Sequence, residues 1–483
     1  YGRWSLMIRE CDVIIVGAGV IGAAVARELS RFNLDICVLE SMPDVCVGTS
    51  GRNSGVIHAG YNNKPGSKMA KYCVLGNRSF DALADELCVP FKRTGKLVVG
   101  FDEADRHELF KLKQTGEENG ISGLEIVERD FITRKAPEVN GNFALWSPTT
   151  GITDPFALTI ALAENAARNG VSFFFGCEVL AAIRGDNYFS VATSVGSFGA
   201  RYIINCAGFG ADDIAKIFGT HGADIYPCRG EYFVLDKKFS LSLPLPVYPV
   251  PNYKSGGLGV HLTPTIGGNI LVGPSNEYAE KSYATTRDVA DKLMREGARI
   301  LPRLSQSQVI RSFAGLRPKL SPDGGFCDFE IRREGSVINL LGIESPGLTS
   351  AIPIAREVVE LLAEICELSA NPRFDGTRTA DTPFRDMTPA EREDKIRADH
   401  NYGEIVCRCE QITRGEILQA IHNDLGVHTI AGIKNRCRAT MGRCQGGYCE
   451  RRITELICRE TGLAPEQIVY NRPASFLFKG RVR

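Results

Sequence analysis

The feature that most constrains this chain lies between Cys11 and Glu40. Val13 to Val16 is an apolar run suited to a strand buried on both faces, and Gly17, Gly19 and Gly22 follow it as G-x-G-x-x-G, with Val20 inside the turn. Ala23 to Arg31 then reads as a helix, and Ile36 to Leu39 as a second strand closed by Glu40. Each position has a physical task. Gly17 permits the tight turn, Gly19 lets backbone approach a pyrophosphate, and Gly22 lets helix and strand pack closely. Unpaired N–H groups and the dipole at the helix start favour an anion, and Glu40 is placed to accept from a ribose hydroxyl. The glycine spacing alone is a weak signal. A strand before it, a helix after it and an acid closing the second strand make it a dinucleotide site.

The chain has 483 residues, room for roughly three domains at about 150 each. Its 57 Lys+Arg balance 57 Asp+Glu, so no basic field argues for nucleic acid or an anionic membrane. No apolar run approaches the ~18 residues of a transmembrane segment, and no signal-peptide pattern precedes the first strand. Tyr1 to Leu6, ahead of Met7, read as a cloning remnant. Sixteen cysteines in a chain this long are unlike a small secreted disulfide scaffold. Most, such as Cys37, Cys206 and Cys366, sit in apolar runs and read as buried thiols. A cytoplasmic protein is expected, with any membrane reached through a partner.

After Glu40, Val47 to Gly60 is rich in glycine and small hydroxyls and can wrap a flat polar ligand with backbone N–H groups. Asp154 and Pro155 form the N-cap and first position of a helix to about Arg168. Strands are expected at Lys96 to Phe101, Val171 to Phe175, Tyr188 to Thr193, and Arg201 onward into the turn Ala207-Gly208. Tyr226 to about Pro302 looks strand-rich. Phe313 to Pro318 and a strand at Val337 to Leu341 return to the first domain, and Gly347 starts a helix to about Cys366 whose positive end faces the cleft. The expected fold is α/β and α+β: a Rossmann-like nucleotide domain (8–80, 150–225 and 305–368) with an inserted antiparallel-sheet substrate domain (81–149 and 226–304). A linker (369–403), a small helical domain (404–465) and a tail (466–483) follow.

Four cysteines near the C-terminus do not fit the buried-thiol account. Cys407-Arg-Cys409 and Cys444-Gln-Gly-Gly-Tyr-Cys449 are paired at short spacings around a helical stretch, as a tetrahedral sulfur cage needs. A [2Fe–2S] cluster, a four-thiolate Zn²⁺ and two disulfides all remain open on spacing alone. Cys437 falls outside the pattern. Arg408, Arg436, Arg438 and Arg443 could stabilise a reduced cluster or form a solvated face.

The glycine fingerprint, the Ser50-to-Gly60 loop, the Ala207-Gly208 turn and the Gly347 helix start resemble the D-amino-acid-oxidase-type FAD oxidoreductases. Gly51-Arg-Asn-Ser-Gly-Val-Ile-His-Ala-Gly60, Arg229-Gly-Glu-Tyr-Phe233, Leu258-Gly-Val-His-Leu-Thr263 and Ser321-Pro-Asp-Gly324 look most like the L-2-hydroxyglutarate dehydrogenases within that family. From Glu404 onward, with Met441-Gly-Arg-Cys-Gln-Gly446, the chain is similar to the C-terminal domain of the anaerobic glycerol-3-phosphate dehydrogenase A subunit. That is a bacterioferritin-associated-ferredoxin-type [2Fe–2S] domain, and the resemblance implies Cys407, Cys409, Cys444 and Cys449 as ligands. It also implies FAD, with Glu40 on the ribose and Gly17 to Gly22 on the pyrophosphate. Ser50, Gly51, Arg52, Asn53 and Ser54 would line diphosphate and isoalloxazine, Ala207 and Gly208 would lie beside the nucleotide, and Val179 would offer backbone to the adenine. Gly347, Leu348 and Thr349 would lie near the pyrimidine end, where N–H groups stabilise added negative charge.

A base and one or two cations are then needed in the cleft. His261 is the preferred base, since an imidazole titrates near neutrality, with a packed strand histidine as the plain alternative. His58 is the second candidate, either as base or as a point of covalent FAD attachment. Arg317 and Arg229 could clamp a carboxylate or phosphate bidentately, or form structural ion pairs; Tyr248 and Lys319 are weaker candidates. No second G-x-G-x-x-G follows a strand, so electrons must leave by the cysteine cluster rather than a nicotinamide. The reading is an FAD-dependent dehydrogenase of a small anionic secondary alcohol, an L-2-hydroxy acid such as L-2-hydroxyglutarate or glycerol 3-phosphate. An electron-accepting partner subunit or carrier, and with it a hetero-oligomer, is implied. A secondary-amine dehydrogenase and an electron-relay subunit are the alternatives.

Overall fold

The strand Met7–Val16 is the spine of the first sheet, running parallel to Ile36–Glu40 on one side and to Gly196–Asn205 on the other. Val13, Ile14 and Ile15 are fully buried, as a strand covered on both faces requires. Ser172–Phe175 extends the sheet in parallel beyond Ile36–Glu40, and the antiparallel strands Val179–Arg184 and Phe189–Thr193 extend it beyond Gly196–Asn205. Val337–Leu341 joins the end of Gly196–Asn205 in parallel and carries Glu330–Glu334. The computed structural model describes residues 7–238, 242–251, 259–278 and 280–480; the expectation for Tyr1 to Leu6 and the Leu258 of the quoted motif lie outside them.

Helices Val20–Leu29, Pro155–Arg168 and Gly347–Ala363 pack on this sheet through small side chains, among them Ala23, Ala24, Ala161, Ala163 and Ala355. Asp154 caps the second of these as expected, accepting from the N–H groups of Phe156 and Ala157 at 2.9 and 3.2 Å.

A second, nine-stranded sheet is built around Tyr226–Leu235 and takes in Lys96–Gly100, Phe143–Ser147, Val247–Pro249, His261–Pro264 and Ile270–Gly273. It is antiparallel except where Val247–Pro249 meets Lys96–Gly100. Val309–Lys319 also belongs here, pairing with Tyr226–Leu235 along nearly its full length. This corrects the assignment of all of 305–368 to the nucleotide unit: an eleven-residue strand matches a ten-residue partner, which residue pattern alone does not reveal.

The segment expected as a linker is strapped to the first unit. The Asn371 N–H donates to Arg31 O at 2.7 Å, the Arg378 N–H to Glu86 O at 2.9 Å, and Asn165 reaches the carbonyls of Asp375 and Thr377. It also contains the helix Pro389–Ala398, opened by a Thr388–Glu391 capping box.

The C-terminal unit is a short hairpin and the helices Arg414–Ile421, Ile430–Cys437 and Glu450–Thr461 around a core of Ile417, Ile421, Ile433, Ile453 and Ile457. It docks on the nucleotide unit through a buried fork: Arg436 Nη1 and Nη2 lie 2.8 and 3.1 Å from the Asp44 carboxylate. Arg436→Met would leave that carboxylate buried without its cation, and a loss of about 3–5 kcal/mol of stability is expected. Thermal unfolding of the single variant and of the Asp44→Asn/Arg436→Met pair measures it, the double recovering part of the loss. Among the described residues no helix is long and apolar enough to cross a membrane.

Candidate functional site

The nucleotide turn is shaped by its glycines. Gly17 has φ +101°, and a Cβ there would stand 2.6 Å from Cys206 O. A Cβ on Gly22 would collide with the carbonyl of Gly17, so the helix rests directly on the turn. Ser50 Oγ accepts from the Val20 N–H at 2.9 Å and ties the glycine-rich loop to the helix start. Glu40 is held by the N–H groups of Ala18 and Met42 at 2.7 and 2.8 Å, and burial pushes its carboxyl pKa up against those bonds.

From this turn a cleft of about 680 Å³ runs to the second sheet. Of the residues expected to hold FAD, Gly17, Gly19, Val20, Glu40, Ser50, Arg52, Asn53, Ser54, Ala207, Gly208, Gly347 and Leu348 line it. Glycine backbone at a helix start, a fixed carboxylate at the second strand and a second helix start at the far end fit a long, flat, anionic dinucleotide.

Four expected residues do not line the cleft. Gly22 lies under the turn. Gly51 faces away from it, where a Cβ would meet Cys46 O and the Phe156 ring. Val179 is buried in its strand, two residues beyond Cys177, whose N–H bonds Glu40 O at 2.8 Å. Thr349 stands behind the wall, its Oγ1 accepting from the His58 N–H at 3.0 Å and pinning that loop to the helix.

At the second-sheet end, the His261 imidazole stacks on the Tyr248 ring, centroids 3.8 Å apart and planes 4° from parallel. Its Nδ1 lies 3.2 Å from Thr263 Oγ1. His58 meets the same tyrosine edge-on at 6.5 Å. Burial, and then the charge of Lys96, lowers both imidazole pKa values: His58 to about 3, and His261 well below its usual range. Both are therefore neutral at neutral pH, each with one ring nitrogen that carries no proton, while burial disfavours their charged form.

This carries a stability consequence. The folded His58 value lies below the unfolded one near 6.5, so between them the unfolded chain binds more protons. The His58 contribution is complete above pH ~6.5 and is lost as the pH drops toward ~3, by about 1.4 kcal/mol per unit. The melting temperature is expected to fall between pH ~6.5 and ~5, and less steeply in His58→Gln.

Lys96 was not foreseen. It is fully buried at the head of an all-apolar strand, its ammonium 4.2 Å from the Tyr248 ring centroid and 4.6 Å from that of Tyr61. Burial pushes its pKa down to about 7. A lone lysine opening the run Leu97-Val98-Val99-Gly100 was the available signal.

Arg317 faces the cleft, with Nη2 donating to Ser275 O at 2.9 Å and Nε buried without a hydrogen-bond partner. Arg229 does not face it, which corrects its place among the candidate catalytic residues. Alternation along Tyr226–Leu235 turns Gly230 and Tyr232 to the cleft and Arg229 with Glu231 away from it, where the two pair at 3.2 Å. Lys319 is likewise paired, 2.7 Å from Glu344.

In the C-terminal unit the four thiols stand as two pairs. Cys409 Sγ is 3.6 Å from Cys444 Sγ, and Cys449 donates to Cys407, whose pKa that bond lowers to about 6. Two thiolate pairs suit two irons. Cys437 stands apart from the two pairs: it donates to Ile433 O at 3.2 Å, and burial pushes its pKa up to about 12. Arg436 and Arg438, considered for the cluster, instead hold Asp44 and face Asp154 and Glu410.

Residues 12–361 match the family described as FAD dependent oxidoreductase, and residues 405–459 the BFD-like [2Fe-2S] binding domain. A glycerol 3-phosphate dehydrogenase from Caloramator mitchellensis is 38% identical over 97% of this chain and 98% of its own. A mitochondrial L-2-hydroxyglutarate dehydrogenase from Arabidopsis thaliana is 31% identical over 74% of this chain and 84% of its own. Among solved structures, the FAD-bound L-alpha-glycerophosphate oxidase from Mycoplasma pneumoniae superposes with a TM-score of 0.73 at 32% identity, covering 77% of this chain and 99% of that one.

Proposed function

Because the chain belongs to the FAD dependent oxidoreductase family and ends in a BFD-like [2Fe-2S] binding domain, we propose that it dehydrogenates a small anionic secondary alcohol, glycerol 3-phosphate first, and passes the electrons out through the cluster. The observation that carries this reading is Arg317, a cleft-facing guanidinium with a buried, unpartnered Nε, set near two neutral imidazoles. A phosphate or carboxylate supplies the acceptor that Nε lacks. His261, with His58 as the second candidate, takes the hydroxyl proton, and the stacked Tyr248 holds the imidazole plane. When bound, FAD supplies the acceptor for the hydrogen of the substrate C–H bond.

Glycerol 3-phosphate is preferred because the relative so named covers 97% of the chain, cleft and cysteine unit together, whereas the L-2-hydroxyglutarate dehydrogenases cover about three quarters of it. L-2-Hydroxyglutarate is the second reading, favoured by the motifs in the second sheet. Sixteen free thiols support a reducing cytoplasm, and the exposed Cys409 supports handover to a one-electron partner subunit or carrier. Anaerobic mixing of the holoenzyme with each compound tests the assignment. Glycerol 3-phosphate is expected to bleach the flavin fastest. Bleaching by a secondary amine and by neither alcohol would defeat it.

A further inference from the structure

A second chamber, of about 220 Å³, lies between the nucleotide unit and the cysteine unit. One wall is the back of the Val47–Ser54 loop whose front lines the main cleft; the opposite wall includes Met441 and Gln445, which flank Cys444. Four cations line it: Arg52, Arg311, Lys434 and Arg438.

The nearby carboxylates are already engaged. Asp44 holds Arg436 at 2.8 Å, and Asp154 caps its helix while lying 3.6 Å from Arg438. Glu410 takes Lys237 at 2.8 Å, Arg385 at 3.2 Å and Arg438 at 3.4 Å. Burial of Glu450, whose charge reaches Lys434, raises its pKa toward the neutral form. That leaves Arg52, Arg311 and Lys434 with no ion pair to any described residue. Arg52 spends Nε and Nη1 on the carbonyls of Val47 and Ala314, Arg311 reaches Gln445 Oε1 at 3.1 Å, and the Lys434 ammonium has no hydrogen-bond partner among the described residues.

Three like charges around a space walled by Val47, Phe156, Leu271 and Phe313 repel one another and lose solvation, and the two carboxylates in the same lining, Asp44 and Asp154, are committed to Arg436 and to a helix N-terminus beside Arg438. Burial together with the charges of Arg311, Arg438 and Arg52 lowers the Lys434 pKa to about 7, the mark of that unrelieved field. We propose that this chamber binds a small multivalent oxyanion of the phosphate or phosphate-ester class, held by Lys434, Arg311 and Arg52 between the flavin cleft and the cysteine cluster. Arg311 offers guanidinium donors beyond the Nη1 on Gln445, Arg52 its remaining Nη2, and the ammonium a point charge, a set that suits tetrahedral oxyanions. The inference does not depend on which alcohol the main cleft oxidises.

Holoenzyme titrated with inorganic phosphate at constant ionic strength, followed by ³¹P line width and thermal unfolding, tests it. Two classes of site are expected, one in the main cleft at Arg317 and one in the chamber. Lys434→Gln is expected to weaken the chamber class by about 10–100-fold and spare the other, Arg317→Gln to do the reverse, and Lys434→Arg to retain both. If Lys434→Gln does not fold, Arg311→Gln, an exposed position at the chamber's edge, replaces it. A parallel titration with glycerol 2-phosphate separates a phosphate ester from the free ion as occupant, by whichever binds the chamber class more tightly. Unchanged binding in both Lys434→Gln and Arg311→Gln, or loss of all phosphate binding in Arg317→Gln, overturns the proposal.

Discussion

Arg317→Gln is expected to lower kcat/KM for the anionic alcohol by about 10²–10³-fold, with flavin content and melting temperature little changed. The guanidinium faces the cleft with one anchored nitrogen, Nη2 on Ser275 O, and one buried nitrogen that lacks an acceptor, Nε. Removing one side of such a charge-assisted contact costs about 2–5 kcal/mol, chiefly because the substrate's charge is then buried unpaired. Arg317→Lys should recover a minor part, because an ammonium cannot reproduce the planar fork and would leave Ser275 O to solvent or to itself. The readout is the rate of anaerobic flavin bleaching against substrate concentration. A loss confined to apparent affinity means that Arg317 only holds the anion. A loss in the limiting rate as well means that it sets the carbinol carbon in line for reaction. An Arg317→Gln enzyme with wild-type kinetics would remove the observation on which the substrate class rests.

What the residues alone revealed follows the range of the forces involved. The cradle was legible because its demands are local: strand, three glycines, helix and closing acid lie within one stretch, and each glycine is needed against a neighbour a few residues away. The four cysteines Cys407, Cys409, Cys444 and Cys449 were legible as a set for the same reason, their short spacings, but their partners were not: Cys409 stands beside Cys444 and Cys407 beside Cys449, across the intervening helices. Arg229 and Arg317 looked equivalent in sequence, and only alternation in the assembled sheet distinguishes them. The partnership of Val309–Lys319 with Tyr226–Leu235 spans a long stretch of intervening chain, so nothing local announces that Arg317 enters the cleft from the second sheet. Gly51 and Val179 sit in the right segments but face or lie elsewhere, which loop composition does not encode. Arg436 and Arg438 looked like companions of the cysteines and serve instead at the junction of the two units, a contact between surfaces far apart in the chain.

Cys444→Ser is expected to separate the two halves of the reaction. Cys444 Sγ stands 3.6 Å from Cys409 Sγ, so the substitution leaves one of the two pairs with a single thiolate. A hydroxyl has neither the softness nor the acidity to replace it, and loss of the iron and sulfide follows. Altering groups that merely support a ligand costs about 10–100-fold in metal affinity, so removing a ligand costs at least that. The main cleft is untouched by the change. Anaerobic bleaching of the flavin by the alcohol should therefore proceed at its normal rate, while steady turnover with a one-electron protein acceptor falls by about 10²-fold or more. Cys437→Ala is the control. Its thiol is protonated and bonded to Ile433 O, so iron, sulfide and turnover should all survive. Metal analysis beside the visible spectrum decides the chemistry: iron with acid-labile sulfide in the parent and the Cys437→Ala protein, and neither in Cys444→Ser. Turnover that survives in Cys444→Ser would mean that electrons leave the flavin directly and that the C-terminal unit serves another purpose. A parallel collapse of flavin bleaching would instead tie the cysteine unit to the shape of the cleft, through the Arg436–Asp44 fork that joins them.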